Sequence, residues 1–267
     1  MADRIRRRPA LAAIAAAALV AAVAVAIVAL SGLGGSSDVL FAPDFEGPNR
    51  LLTNEYALRH PDSPEAVKSS QWYVTSGSLF VRDDAGTNGP LDDLAADPRS
   101  LDATNSAVFR AYTRRRFEPS FRVDFKVRVE PPRNVTGLRP APWDGLHLMV
   151  DAVSTEAAYY VSVYRRNGQA VIKKKTPGGA IAGGSYFALS RYVPCHIAPG
   201  HWSEVRVDVR REGPSAVTID LYENGILLAT ATDKRSFSGS PPFTEGHIGL
   251  RADKTSFAIR EMTVEAL

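Results

Sequence analysis

Polar and apolar residues alternate along most of this chain with a period of two. In FRVDFKVRVE (121–130), Phe121, Val123, Phe125, Val127 and Val129 interleave with Arg122, Asp124, Lys126, Arg128 and Glu130. That pattern predicts a strand with one face in a core and one in water. SEVRVDVRRE (203–212) repeats it with Val205, Val207 and Val209 inward, and further strands are predicted over 106–113, 146–152, 247–253 and 256–266. Short turn signals predict three hairpins: 159–175 turning at Asn167-Gly168, 216–233 turning around Glu223-Asn224-Gly225, and 71–84 turning at Ser76-Gly77. Beyond residue 38 no amphipathic stretch of helical period exceeds about two turns. Strands without alternating helices specify an antiparallel all-β domain, a sandwich or barrel. Three segments break the alternation: 84–105, rich in Asp and Gly; 131–144 (PPRNVTGLRPAPWD); and 176–200, with Gly178, Gly179, Gly183 and Gly184. Long irregular segments inside a compact domain are usually functional or mobile.

A different pattern opens the chain. PALAAIAAAALVAAVAVAIVALSGL (9–33) carries no charge and follows Arg4, Arg6, Arg7 and Arg8. A run of ~20 apolar residues is enough to cross a bilayer as a helix, and flanking basic residues stay on the cytoplasmic side. The run is longer than the ~7–15 residues of a signal-peptide h-region. The expectation is therefore an uncleaved signal anchor, with a cleaved signal peptide as the alternative. The organisation follows: a cytoplasmic basic region (1–8), the anchor (9–33), a Gly/Ser linker (34–38) and one β-sandwich domain (39–267), held outside a cell membrane or secreted after cleavage.

The same arginines explain the charge. Of 267 residues, 32 are Lys or Arg and 29 are Asp or Glu, a net charge of +3. Arg4, Arg6, Arg7 and Arg8 against Asp3 account for all of it, so the domain itself is balanced. A nucleic-acid partner, which needs a basic stripe on the folded domain, is not expected. Cys195 is the single cysteine, so there is no disulfide framework. Its neighbour His196 points to the opposite face of any strand, and Cys195 is read as a small, partly buried side chain.

Candidate chemistry gathers on three strands. If Leu146, Leu148, Val150, Val161, Val163 and Ile172 face the core, the opposite face holds His147, Tyr160, Ser162, Tyr164, Lys173 and Lys175. Aromatic rings stack on sugar faces while charges and amides bond hydroxyls, so this set is apt for glycan binding. The competing reading is an exposed sheet face stabilised by cross-strand pairs, with Lys173–Lys175 as solvated surface. Trp143 and Asp144 follow the Pro-rich segment and are placed at the edge of a groove. Trp72 and Trp202 are placed in the core.

The order of segments then becomes informative. LFAPDFEG, WYVTSGSLFVRDD, HWSEVRVDVR, VTIDLYENGILLATATD, GHIGLRAD and FAIREMTV occur in succession. This layout resembles the concanavalin A-like lectin/glucanase superfamily, and in particular exported bacterial domains with a laminin-G-like jelly roll. The match of residues is densest from Trp202 to Val264. The resemblance implies a jelly-roll sandwich whose curved sheet takes a polysaccharide or cell-envelope glycan. Glucan-cleaving relatives carry a Glu-x-Asp-x-x-Glu strand that is absent here. The nearest pair, Asp124 and Glu130, would stand about 20 Å apart, too far to flank one bond. Jelly-roll lyases are echoed in part by Arg110, His147 and Tyr160 or Tyr164. The resemblance also suggests a structural calcium ion clipping the first and last strands, for which Asp44, Glu46 and Asp253 are candidates; no other cofactor is expected. The expected function is a membrane-tethered, non-catalytic carbohydrate-binding module with Arg110, Trp143, Asp144, His147, Tyr160, Tyr164, Lys173 and Lys175 as ligand contacts. Two alternatives stand beside it. One is a lyase or glycoside hydrolase acting on an acidic glycan through His147, Tyr160 and Tyr164. The other is a protein-interaction or structural module of a cell-surface polymer system.

Overall fold

The computed structural model describes residues 38–89, 107–118, 120–135, 137–179, 183–234 and 239–267. The basic region 1–8, the apolar segment 9–33 and linker residues 34–37 lie outside them. Among the described residues, period-two alternation has produced two antiparallel sheets. One has nine strands. Its path runs β15 (Ile226–Asp233), β14 (Val217–Glu223), β13 (Ser203–Arg211), β7 (Phe121–Val129), β17 (Phe257–Ala266), β5 (Ala85–Thr87), β4 (Ser78–Arg82), β2 (Arg50–Asn54), with β1 (Val39–Phe41) also on β17. The eight-stranded sheet runs β11 (Gly184–Ala188), β10 (Gln169–Pro177), β9 (Ala157–Arg165), β8 (Gly145–Ser154), β16 (Gly246–Asp253), β6 (Val108–Phe117), β3 (Trp72–Ser76), with β12 (Val193–Pro194) on β10. The longest helix among the described residues is α1 (Tyr56–Arg59).

The inner faces share one core. Val123, Phe125, Val127 and Val129 of β7 and Val205, Val207 and Val209 of β13 meet Leu146, Leu148 and Val150 of β8 and Val161, Val163 and Ile172 of β9 and β10. Burying each such side chain is worth about 1.5–3 kcal/mol, which makes the in-out register of every strand hard to shift. Trp72 is fully buried among Phe41 and Phe45, as its sequence context implied.

Two of the three predicted hairpins form. Gly168 (φ +69°) turns β9 into β10, and Asn224 and Gly225 (φ +48° and +81°) turn β14 into β15. The third does not. Ser76-Gly77 joins β3 of one sheet to β4 of the other, so the chain turns a corner between layers instead of pairing with itself. Gly77 (φ +83°) packs against Phe109, and a left-handed corner there sends the strand across the sandwich. The irregular segment 176–200 carries β11 and β12, which extend the sheet beside β10.

The lysine run is not solvated surface. Lys174 lies between the sheets, where its Nζ donates to Asp233 Oδ2 of β15 (2.7 Å), Ser240 O (2.9 Å) and Pro241 O (2.8 Å). Tyr159 Oη donates to the same carboxylate oxygen at 2.7 Å and accepts from Phe243 N at 3.0 Å. Both ion-pair partners are 0 % exposed. Removing one member of such a pair leaves an uncompensated buried charge. Lys174→Met is therefore expected to lower the unfolding free energy by about 3–5 kcal/mol, read from urea denaturation of the full chain; a loss below about 1 kcal/mol would contradict this role for the pair.

A tyrosine-lined candidate binding pocket

The outer face of the eight-stranded sheet carries a second, smaller cluster: Tyr112, Met149, Ala152, Ala158 and Tyr160, with Tyr73 and Tyr186 packed against it. Tyr160 meets Tyr186 edge-on at 5.4 Å between centroids and His147 at 6.3 Å. Beside these rings a cavity of about 210 Å³ is lined by Trp143, His147, Tyr160, Ser162, Lys173, Tyr186, Arg251 and Asp253. The strand register explains the convergence. His147 on β8 stands between Ser162 on β9 and Arg251 on β16, and Tyr160 stands opposite Lys173 on β10.

The polar atoms are tightly organised. Arg251 Nε donates to both Asp253 oxygens at 3.0 Å, and its Nη1 donates to Tyr186 Oη at 3.1 Å. His147 Nε2 lies 3.1 Å from Trp143 O and 3.3 Å from Asp253 Oδ2, while Nδ1 lies 2.9 Å from Ser162 Oγ. A backbone carbonyl only accepts, so Nε2 carries the proton and Nδ1 accepts the Ser162 hydroxyl hydrogen. Burial pushes the His147 imidazolium below its usual range, against the pull of Asp253, so the ring is held neutral. Burial also works against the Asp253 carboxylate, yet Arg251 and His147 outweigh it and hold that group well below the usual carboxylate range. Lys173 and Lys175 are each pushed down to about 8, first by burial and then by neighbouring guanidinium groups.

Not every expected contact reaches the pocket. His147, Tyr160, Lys173 and Trp143 line it, and Trp143 is 47 % exposed at its rim. Tyr164 does not. A bulge pairs Leu146 with Tyr164 but His147 with Ser162, so the phenol turns to the core face. Gly145 permits the close approach, since a Cβ there would lie 2.1 Å from Tyr164 O. Asp144 is a loop staple: its Oδ2 accepts from Ala141 N (2.9 Å) and Arg166 Nε (3.2 Å). Lys175 is fully buried, with Nζ donating to Thr155 O at 2.8 Å and lying 5.4 Å from the Tyr186 ring. Arg110 stands on β6 opposite Arg251, 4 % exposed and outside the cavity lining.

The calcium trio is not assembled. Asp44 and Glu46 are exposed near β1, with Asp44 paired to Arg50, whereas Asp253 is buried against Arg251. Among the described residues no group of three His, Cys, Asp or Glu side chains is placed to hold a metal ion. Trp202 is not core either. It is half-buried on the outer face of the nine-stranded sheet, under Arg260 (4.2 Å) and Arg128 (5.2 Å). Cys195 is half-buried with its thiol donating to Val163 O at 3.0 Å and pushed up to about 12 by burial. Sequence reasoning missed Arg251 and Tyr186 and gave Asp253 another role, because their convergence depends on β16 and β11 flanking the β8–β10 strands.

Comparison with known proteins places this fold. No protein-family model matches the chain, and no curated protein matches it. Among solved structures, the carbohydrate-binding module CBM66 from Bacillus subtilis superposes with a TM-score of 0.51 at 12 % identity, covering 74 % of this chain and 96 % of that one. A Bacillus subtilis protein of unknown function with a galectin-like fold gives 0.50 at 12 % identity, covering 82 % and 94 %. At such identities the likeness defines the fold, a lectin-like sandwich consistent with the concanavalin A-like architecture.

The neutral His147 has a consequence for stability. In the unfolded chain this imidazole takes up a proton at about 6.5, which the folded ring resists, so the unfolded state binds more protons below that value. The contribution of His147 to stability is expected to be lost as pH drops from about 7 to about 5, and His147→Gln to remove that contribution relative to the parent chain. Urea midpoints across this interval test it; an unchanged slope in the variant would assign the pH dependence elsewhere.

Proposed function

We propose that the chain is a carbohydrate-binding module whose ligand occupies the pocket on the outer face of the eight-stranded sheet. The observation that carries this reading is the pocket itself: three aromatic rings, Trp143, Tyr160 and Tyr186, beside convergent hydroxyl, imidazole and ammonium groups. Rings offer flat apolar faces to a sugar and the polar groups offer partners to its hydroxyls. The fold of a module named for carbohydrate binding in Bacillus subtilis supports the same reading by analogy. The opposite outer face offers a contrast. There Arg122–Asp208 (2.7 Å), Arg206–Asp124 (2.8 Å) and Lys126–Glu261 (2.7 Å) pair across neighbouring strands, leaving those groups satisfied.

The apolar segment 9–33 is proposed to tether the domain outside a membrane, supported by its length and by the arginines before it. Intact-mass measurement of the exported protein tests this: a chain beginning near residues 32–38 would replace the tether with a cleaved leader.

A second reading, ester hydrolysis on a substituted glycan, is favoured by one arrangement. The Ser162 hydroxyl donates to His147 Nδ1, and Nε2–H is aimed at Trp143 O and Asp253, the order of roles in a serine nucleophile with its base and orienting carboxylate. Release of acetate from an acetylated polysaccharide, abolished in Ser162→Ala, would establish it; no release leaves binding alone. For binding, Trp143→Ala is expected to weaken retention on a glycan array about tenfold, with an unchanged unfolding midpoint because the ring is exposed. Absence of binding to any glycan would favour a protein-interaction module of a surface-polymer system.

A further inference from the structure

Beside the pocket, next to its lining residue Lys173, lies positive charge that no carboxylate answers among the described residues. The bulge that turns Tyr164 inward brings Arg165, the last residue of β9, to the ring of Tyr192, with its guanidinium carbon 5.2 Å from the ring centroid. Lys173 Nζ lies 5.8 Å from the same ring, which is itself 46 % exposed. Arg165 is 4 % exposed, and its Nε and Nη1 are buried without a hydrogen-bond partner. Among the described residues no carboxylate forms an ion pair with either cation. Facing Lys173 are Arg165 and Tyr160 from β9, His147 from β8, Arg251 and Asp253 from β16, Tyr186 from β11 and Tyr192 beyond it. Asp253 is the sole carboxylate of this set and is already engaged by Arg251 at 2.9–3.0 Å.

We propose that Lys173 and Arg165 form the seat of an anionic sugar residue, bearing a carboxylate or a sulfate ester, with the Tyr192 ring as its wall. This inference rests on the carbohydrate-binding reading and names the ligand class of the same pocket. A buried guanidinium that lacks acceptors is unfavourable unless an anion meets it, and a planar or tetrahedral oxyanion supplies acceptors to both cations at once. Arg251 is less available, since Asp253 and Tyr186 occupy its nitrogens. Neutral sugars would answer hydrogen bonds but not charge. The lowered ammonium of Lys173 adds a signature: the bound anion favours the charged form, so affinity is lost as pH rises past about 8.

The test uses the full-length chain in detergent against two matched pairs of polymers: polygalacturonate with its methyl ester, and dextran sulfate with dextran. Each pair shares a backbone and differs in charge. The charged member is expected to bind about tenfold or more tightly, with affinity falling steeply with salt. Preference for polygalacturonate alone assigns a carboxylate, and preference for dextran sulfate alone assigns a sulfate ester. Lys173→Met and Arg165→Met should each erase the preference for the charged member of a pair, and Lys173→Arg should keep it and remove the loss near pH 8. Equal binding within both pairs would overturn the anion seat and leave the carbohydrate reading standing; binding to none of the four would remove both. A charge preference that survives both methionine variants would also overturn the seat, placing the anion elsewhere.

Discussion

Everything on the two outer surfaces depends on the shared core between the sheets. Side chains alternate across a strand, so committing Leu146, Leu148, Val150, Val161 and Ile172 inward determines what faces outward. The constraint is relaxed only at bulges. The one between β8 and β9 places Tyr164 on the core face. Without it the pocket's lining would follow strict alternation, with Tyr164 beside Ser162.

The two outer faces handle charge in opposite ways. On the nine-stranded sheet, basic and acidic residues alternate between neighbouring strands and neutralise one another, which suits an exposed surface. On the eight-stranded sheet, Arg165 and Arg251 lie close enough to Lys173, and Arg110 and Arg251 to Lys175, to depress both ammonium groups, while Asp253 is held by Arg251. A domain with balanced net charge thus carries a local cationic site. Burial sharpens it, because charges in a partly desolvated pocket are screened less than those on an open surface. The Lys174–Asp233 pair shows the other use of a buried cation, since it binds β10 to β15 across the sandwich and the ammonium is met by Asp233 and by the carbonyls of Ser240 and Pro241.

Much of the fold was legible from local pattern. The alternation of β7 and β13 and the Asn-Gly turns after β9 and β14 follow from residue chemistry over a few positions. Half of the pocket was legible as well: His147, Tyr160, Ser162 and Lys173 share a face by parity. Ser76-Gly77 read as a hairpin because a turn signal does not say which sheet the next strand joins. Lys174 read as surface because a charge run gives no sign of a partner far along the chain, as Asp233 is. Trp202 read as core because its stacking partners, Arg128 and Arg260, come from two other strands.

The sequence by itself determined the all-β class, most strand positions and the inward face of each, since those depend on period and turn chemistry within a short window. Only the tertiary structure decided which strands became neighbours. That choice placed Arg251 and Asp253 beside His147, set Tyr186 beside Tyr160 and brought Tyr192 over Lys173 and Arg165. The physical reason is that sheet order is settled by burial and pairing between segments far apart in the chain, and no local pattern encodes it.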